Sequence, residues 1–183
     1  KHNLHMIEDA AQGVGVFRNK KHVGTFGESG ILSFYGNKTI TTAEGGIVLT
    51  NDDKIREICV QLKNHGRPAR GTFYHEHVGY NFAFTELQAA VGISQTKKLK
   101  RIIERKKQIY DRYVECLPFL NYDLYEEETT PVHWFSSIFL NSETEKEELK
   151  SFLHKHGIET RLFFYPLHKQ PCYNEKNSIK NKK

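Results

Sequence analysis

Short apolar segments alternate with helical segments along the chain, and this order restricts the fold to one that combines helices with strands. Apolar runs at 5–7, 31–35 and 47–49 are bounded by glycine or polar turn residues, as β-strands usually are. Helical periodicity begins after Asp52 and stops at Gly66. Because alternating strands and helices are typical of α/β proteins, the sequence predicts that class for its first part.

Later segments carry longer helices. Residues 67–81, rich in glycine, histidine and aromatic side chains, are predicted to form a loop. Thr85 and Gln88 form a capping-box pair that opens one helix, and a further long helix over 99–117 ends before Pro118. After Pro118 the predicted elements are a strand over 132–140, a helix between Ser142 and Gly157, and a strand over 159–164. This order of strand, helix and strand indicates a smaller α+β domain.

These changes of pattern predict four regions. They are part of a large α/β domain over 1–98, a linking helix over 99–118, an incomplete small α+β domain over 119–173, and a basic tail over 174–183 that we expect to be disordered.

Composition argues against several classes of protein. A hydrophobic content of 38% is enough for a core. The formal charge of +5 includes lysines of the tail, but no aromatic residues interleave with them, so we expect no nucleic-acid partner. The three cysteines are far apart, match neither a disulfide framework nor a metal site, and suit the cytoplasm. No apolar run is long enough to span a bilayer, so we expect no membrane partner.

Lys38 is the first candidate for chemistry. A lysine attacks an aldehyde only as the free amine, and its unperturbed pKa is about 10.4. A position just past an apolar strand would lower that pKa by desolvation. A lone lysine in a turn is more often a surface charge, so its neighbours decide between the two interpretations. The segment 36–39 is not a nucleotide P-loop, since Asn37 stands where that motif requires glycine.

Three polar residues precede Lys38 at strand ends or turns. Asp9 ends a strand, where α/β folds place ligand-binding groups, and its carboxylate suits the protonated pyridine nitrogen of pyridoxal phosphate. Gln12 would donate to the ring hydroxyl of that cofactor, and Ser33 would bind its phosphate. Taken singly, Asp9 could be a helix cap and Ser33 an alternating strand residue, so these alternatives stay open.

Motifs in the first fifty residues occur in a fixed order: Glu8-Asp9-Ala10-Ala11-Gln12, then Ser33-Phe34-Tyr35-Gly36-Asn37-Lys38-Thr39-Ile40-Thr41-Thr42, then Glu44-Gly45-Gly46. The combination resembles the DegT/DnrJ/EryC1/StrS sugar aminotransferases, and the resemblance extends from Lys1 to about Tyr173. It implies an α/β fold of fold-type I, the aspartate-aminotransferase-like pyridoxal-phosphate transferases. It also implies that both ends of this chain are cuts, because relatives continue beyond them.

The resemblance also implies roles for individual residues. Lys38 would form the internal aldimine and shuttle protons, while Asp9 would pair with the pyridine nitrogen. Gln12 would contact the ring oxygen, and Ser33 would contact the phosphate. Asn81 lies in a block similar to the family's interface loop, so it would reach the cofactor phosphate of the partner subunit in a homodimer.

Three further residues are candidates for binding substrate: His65, Arg161 and His168. The region 157–168 is similar to that of perosamine-forming members, in which it lies near the sugar nucleotide. The tripeptide around His65 matches a family motif, although an isolated histidine is more often structural. No metal ligands are implied.

The implied reaction moves an amino group from glutamate to a nucleotide-linked 4-keto-6-deoxy sugar, with Lys38 as general acid and base in both halves. Two alternatives stay open. One is a non-catalytic remnant or regulatory protein of the same fold. The other is a pyridoxal-phosphate-dependent sugar dehydratase, a class that carries histidine where this chain has Lys38.

Overall fold

The computed structural model describes residues 2, 4–69, 71–122 and 125–173. The chain forms two units, Lys1–Phe139 and Leu140–Lys183. The strands are β1 (Ile7–Asp9), β2 (Phe17–Arg18), β3 (Lys21–His22), β4 (Ser29–Ser33), β5 (Gly46–Thr50), β6 (Asn121–Tyr122), β7 (Thr129–Thr130) and β8 (Ile138–Phe139). The helices are α1 (Asp53–Leu62), α2 (Glu86–Cys116) and α3 (Glu143–Lys155), followed by 3₁₀ turns at Leu167–Lys169 and Pro171–Tyr173.

One sheet in the first unit positions the residues of chemical interest. Its strand order is β1-β4-β5. Strand β1 runs parallel to β4, with Ile7 opposite Ser29 and Asp9 opposite Ile31, whereas β5 pairs antiparallel with β4. Because parallel strands end at the same edge of a sheet, Asp9 and Ser33 finish close to one another along that edge. Two smaller sheets have the orders β3-β2-β7 and β6-β8.

The three strands predicted in the first fifty residues are present, but two have shifted limits. The run predicted at 5–7 is observed at Ile7–Asp9, and the run predicted at 31–35 is observed at Ser29–Ser33. Apolarity set the predicted limits, whereas backbone pairing sets the observed ones. Strand β1 includes polar residues because it pairs with β4 along its whole length.

Helix α1 begins where the sequence predicts, after Asp52, but it ends at Leu62, before the predicted stop at Gly66. The carboxylate of Asp52 caps it by accepting hydrogen bonds from the N–H groups of Lys54 and Ile55, at 2.8 and 3.1 Å. The chain leaves the helix after Leu62, and Gly66 turns back with a φ of +73°, a conformation that favours glycine.

The prediction of a separate long helix over 99–117 is wrong, because α2 runs unbroken from Glu86 to Cys116. Its predicted start is confirmed: Thr85 and Gln88 make both hydrogen bonds of the capping box. No proline interrupts the segment between the two predicted helices, so nothing stops the first from continuing. No helix in the described ranges combines the length and the apolar character needed to cross a membrane.

The predictions of two strands after residue 130 are wrong over most of their length. The run over 132–140 contributes only β8, and the segment 159–164 pairs with no strand in the part of the chain that the structure describes. A strand forms only where a neighbour satisfies its hydrogen bonds, and sequence alternation does not supply that neighbour. At Trp134 the chain turns instead, since its N–H donates to the carbonyl of Val132 at 2.8 Å.

The predicted helix between Ser142 and Gly157 is confirmed as α3, with Ser142 accepting from the N–H of Glu145 at 3.1 Å. Helix α2 lies wholly within the first unit. The predicted regions 1–98, 99–118 and 119–173 stay a prediction about domain organisation. The predicted tail over 174–183 lies outside the described residues.

Backbone meets backbone where Gly30 of β4 passes Gly24. A Cβ atom on Gly30 would stand 2.5 Å from the Cα of Gly24, and closer still to its carbonyl oxygen. We expect Gly30→Ala to lower the free energy of unfolding by about 3 kcal/mol, because backbone cannot rotate out of the way. Urea denaturation followed by circular dichroism measures this. Gly36→Ala is the control, since its nearest neighbour would lie 3.7 Å away; equal losses in both variants would refute the close approach.

Candidate active site

Lys38 lies on the loop that joins β4 to β5. Its N–H donates to the carbonyl of Tyr35 at 3.0 Å, which closes a turn directly after the strand. The two residues that follow, Thr39 and Ile40, are each only 6% exposed. Buried neighbours hold the backbone at this point, so the loop presents the lysine side chain from a fixed position.

Two opposing effects act on the Lys38 amine. Burial lowers its pKa from the ordinary lysine value, and the negative charge of Asp9 raises it without restoring that value. The pKa of Lys38 is therefore lowered overall, as predicted from its position just past an apolar strand. A lowered pKa increases the fraction of free amine at neutral pH, which is the form that attacks a carbonyl group.

Asp9 ends β1 beside the end of β4. Its Oδ1 accepts a hydrogen bond from the N–H of Ala11 at 3.2 Å, and the side chain is exposed. The hydrogen bond orients the carboxylate, and its exposure leaves it able to meet a ligand. The charge of Asp9 acts on the Lys38 amine, and Asp9 ends the strand that pairs with β4, the strand directly before the Lys38 loop.

Ser33 and Gln12 lie at or just after the ends of β4 and β1. Ser33 is the last residue of β4, is half-buried, and accepts the N–H of Tyr35 on its Oγ at 3.3 Å. Gln12 is exposed in the turn after β1, which the N–H of Gly13 closes by donating to the carbonyl of Ala10 at 2.7 Å. Ser33 therefore ends a strand, and Gln12 follows one, at the edge shared with Asp9.

Asn81 lies in a different structural setting. The N–H groups of its two neighbours donate to carbonyls at the end of α1, at 2.7 and 3.0 Å, and its own side chain is exposed. Among the contacts of the described residues, none joins Asn81 to Lys38.

The three predicted substrate residues are exposed. His65 has a φ of +62°, which is uncommon for a residue other than glycine, and its carbonyl accepts from Nδ1 of His75 at 2.7 Å. Arg161 and His168 belong to the second unit, His168 within the 3₁₀ turn Leu167–Lys169. Their roles stay predictions.

Sequence reasoning missed Glu8. Its carboxylate accepts the backbone N–H groups of Gly24 and Gly27, each at 2.7 Å, and that of Phe26. Burial raises the pKa of Glu8, but these hydrogen bonds and the charge of Lys21 outweigh it, so the pKa falls below its ordinary value of 4.5. The sequence signal that could have indicated this role is a carboxylate within a strand, followed by a glycine-rich segment whose N–H groups need acceptors.

Glu8→Ala should therefore lower the free energy of unfolding at neutral pH by about 2 kcal/mol, because three N–H groups lose a charged acceptor. Since the folded pKa is depressed, the contribution of Glu8 is present above its unfolded pKa and disappears as the pH falls through the folded value. Urea denaturation at several pH values tests this. Glu57→Ala, an exposed glutamate on α1, is the control; a Glu8→Ala loss that persists undiminished in acid would contradict the assignment.

Sequence reasoning also missed Trp134. This residue is far from Lys38 in sequence, yet its ring centroid lies 4.2 Å from the Lys38 Nζ. No local pattern signals such a contact, because it depends on how the segment after β7 folds back over the loop.

The whole chain, residues 1–183, matches the model of the DegT/DnrJ/EryC1/StrS aminotransferase family. The chain belongs to this family. The membership predicted from the motifs around Asp9 and Lys38 is thus confirmed.

Curated relatives in the family include named enzymes. The chain is 41% identical over 177 residues to the GDP-perosamine synthase of Vibrio cholerae, covering 94% of this chain and 48% of that protein. It is 40% identical over 176 residues to the GDP-perosamine synthase of Escherichia coli O157:H7, covering 95% of this chain and 48% of that protein. The chain therefore spans about half the length of these relatives.

A solved structure shows the same fold. DesV from S. venezuelae, crystallised with a ketimine intermediate, superposes with a TM-score of 0.84 at 29% identity, over 94% of this chain and 46% of that one. The predicted fold class, a fold-type I pyridoxal-phosphate transferase, is confirmed for this DegT/DnrJ/EryC1/StrS chain.

Proposed function

We propose that this chain carries the lysine and the ring-binding carboxylate of a pyridoxal-phosphate-dependent aminotransferase. The reaction transfers an amino group from glutamate to a nucleotide-linked 4-keto-6-deoxy sugar. The observation that carries the proposal is the Lys38 amine just past the end of β4, whose pKa is lowered by burial although the charge of Asp9 raises it. Family membership supports the reaction class, and the GDP-perosamine synthases among the relatives support the sugar nucleotide.

The donor set at the strand ends fits pyridoxal phosphate. The Lys38 Nζ is an amine able to attach an aldehyde, and Asp9 is an anion able to face a protonated ring nitrogen. Ser33 and Gln12 offer a hydroxyl and an amide, which suit the phosphate and the ring oxygen. When bound, pyridoxal phosphate supplies an electron sink for the bonds of the amino carbon.

Lys38 would act as the proton carrier once its Nζ is released. Burial lowers the pKa of this amine, so Nζ can accept and return a proton closer to neutral pH than an ordinary lysine can. Because Thr39 and Ile40 are buried, Lys38 reaches the substrate by rotating its own side chain rather than by moving the loop.

Asp9 would hold a fixed negative charge against the ring nitrogen. The N–H of Ala11 donates to its Oδ1 at 3.2 Å and so orients the carboxylate before any ligand binds. A carboxylate placed against a ring nitrogen favours the protonated form of that nitrogen. The side chain of this residue would therefore keep the cofactor in its reactive state.

His65 in the first unit, and Arg161 and His168 in the second, are each candidates for contacting the sugar nucleotide. Arg161 is exposed, and a guanidinium binds phosphate oxygens through two parallel hydrogen bonds, which suits a nucleoside diphosphate. An imidazole can donate to sugar hydroxyls in either protonation state.

A homodimer with shared sites accounts for Asn81. The segment around it exposes large apolar side chains, among them Phe73 at 89%, Val78 at 89% and Phe82 at 73%. Exposed apolar patches of this kind mark protein–protein contacts, and two-fold dimers place the same loop of each subunit against the other. Asn81 would then donate to the cofactor phosphate in the partner subunit.

Borohydride reduction tests the cofactor and its lysine together. The chain is mixed with pyridoxal phosphate, scanned for a visible absorption band, reduced, and mapped by mass spectrometry. We expect the pyridoxyl label on Lys38 and its loss in Lys38→Met. A label on a different lysine would overturn the assignment. Absence of both band and label would favour the alternative, a non-catalytic protein of the same fold.

A further inference from the structure

The chain has one tryptophan, and that residue contacts the Lys38 loop at two points. The Lys38 Nζ lies 4.2 Å from the centroid of the Trp134 ring. The indole N–H of Trp134 donates to the carbonyl of Asn37 at 2.6 Å. A single side chain therefore contacts both the charged end of the lysine and the backbone immediately before it.

Trp134 is itself held in place. Its N–H donates to the carbonyl of Val132, a residue that is only 7% exposed. Its carbonyl accepts a hydrogen bond from the Nζ of Lys106 on α2 at 3.2 Å. Its ring stacks on that of Phe135, with centroids 4.1 Å apart. These contacts fix the backbone and the ring plane, so the indole face meets the lysine in a defined orientation.

We propose that Trp134 is a positioning residue for Lys38, holding its ammonium over the indole face and fixing the turn through Asn37. A cation over an aromatic face is attracted by the negative electron density of the ring. The attraction ends when the amine loses its proton, so deprotonation to the form that attacks a carbonyl group would release the lysine from the ring. This last step rests on the proposed function, whereas the contact itself does not.

Within the described residues, two groups and the effect of burial act on the charge of Lys38. Asp9 of β1 and the face of Trp134 both favour the ammonium, and burial of the loop opposes it. Lys106 of α2 bonds the carbonyl of Trp134 and fixes the ring through the backbone. The ring should therefore hold the pKa of Lys38 higher than burial alone would leave it.

Fluorescence of the sole tryptophan tests the contact without cofactor. The emission of the 183-residue chain is followed across the pH range in which lysines titrate. We expect a step in the wild type that is lost in Lys38→Met and in Lys38→Arg, whose charge does not titrate there. Tyrosine ionisation affects all three proteins alike. If the emission of either variant, folded as judged by circular dichroism, changed with pH as much as that of the wild type, the contact would be overturned.

Substitution of the ring tests the positioning role. Acetylation of Lys38 is measured against pH by mass spectrometry, with exposed Lys54 as the internal reference. Trp134→Leu should lower the midpoint for Lys38 by about half a pH unit, because the ring attraction is lost while apolar bulk remains. Trp134→Phe should restore most of the shift. A rise towards the ordinary lysine value in Trp134→Leu would mean that the ring only shields the amine, and would overturn the proposal.

Neither measurement uses pyridoxal phosphate. Failure of the chain to take up that cofactor would refute the proposed function and leave the Trp134 contact standing. Failure of the fluorescence and acetylation tests would refute the contact and leave cofactor binding untouched.

Discussion

Asp9→Asn in the assembled enzyme is expected to slow transamination by about a hundredfold or more, comparable to the loss of another major electrostatic contribution. The substitution keeps the shape of the side chain and removes its charge. Without that charge the ring nitrogen loses its proton more readily, and the electron sink weakens. Single-turnover transfer of the amino group measures the effect, and absorbance titration shows whether pyridoxal phosphate still binds.

Asp53→Asn is the matched control for this experiment. Asp53 is an exposed aspartate in the first turn of α1, where it pairs with Arg56. We expect it to leave the rate of transfer close to that of the wild type, since exposed ion pairs contribute little. Near-normal turnover in Asp9→Asn would show that this carboxylate does not face the ring nitrogen.

Mixing Asn81→Ala with Lys38→Ala subunits is expected to restore activity that neither variant has alone. If each site takes Lys38 from one subunit and Asn81 from the other, a heterodimer contains one site with neither substitution. Random exchange makes about half of the dimers heterodimers, so the mixture should recover about a quarter of wild-type activity. Subunit exchange is verified by native mass spectrometry before the assay.

A second mixture provides the control. Asp9 and Lys38 act within the same chain, so a heterodimer of Asp9→Asn with Lys38→Ala has a substitution in each site. This mixture should stay inactive. If the Asn81→Ala mixture also stays inactive although heterodimers form and both single variants are impaired, Asn81 serves its own subunit and the shared-site model is wrong.

The placement of Asp9, Ser33 and Lys38 depends on chain segments that are close to one another in sequence. Asp9 and Ser33 each end a strand, and the two strands pair in parallel. Lys38 follows on the next loop. Local pattern therefore suffices for this part of the candidate site, because strand ends are readable from apolar runs and their flanking turns.

The two strand predictions after residue 130 failed because strand formation there depends on pairing with other segments. The segment 159–164 is predicted as a strand, yet the described part of the chain offers it no neighbour. The run over 132–140 pairs only at Ile138–Phe139, since the turn at Trp134 interrupts it. Side-chain periodicity reports which residues suit a buried face, whereas a sheet also requires backbone partners from elsewhere.

What the sequence alone determined is the family, the fold class and the order Asp9, Ser33, Lys38, because motifs and strand ends are local properties. The tertiary structure alone showed that Glu8 binds the loop from Gly24 to Gly27 and that Trp134 lies over Lys38. Contacts between segments far apart in sequence depend on packing and chain reversal, which no local periodicity encodes.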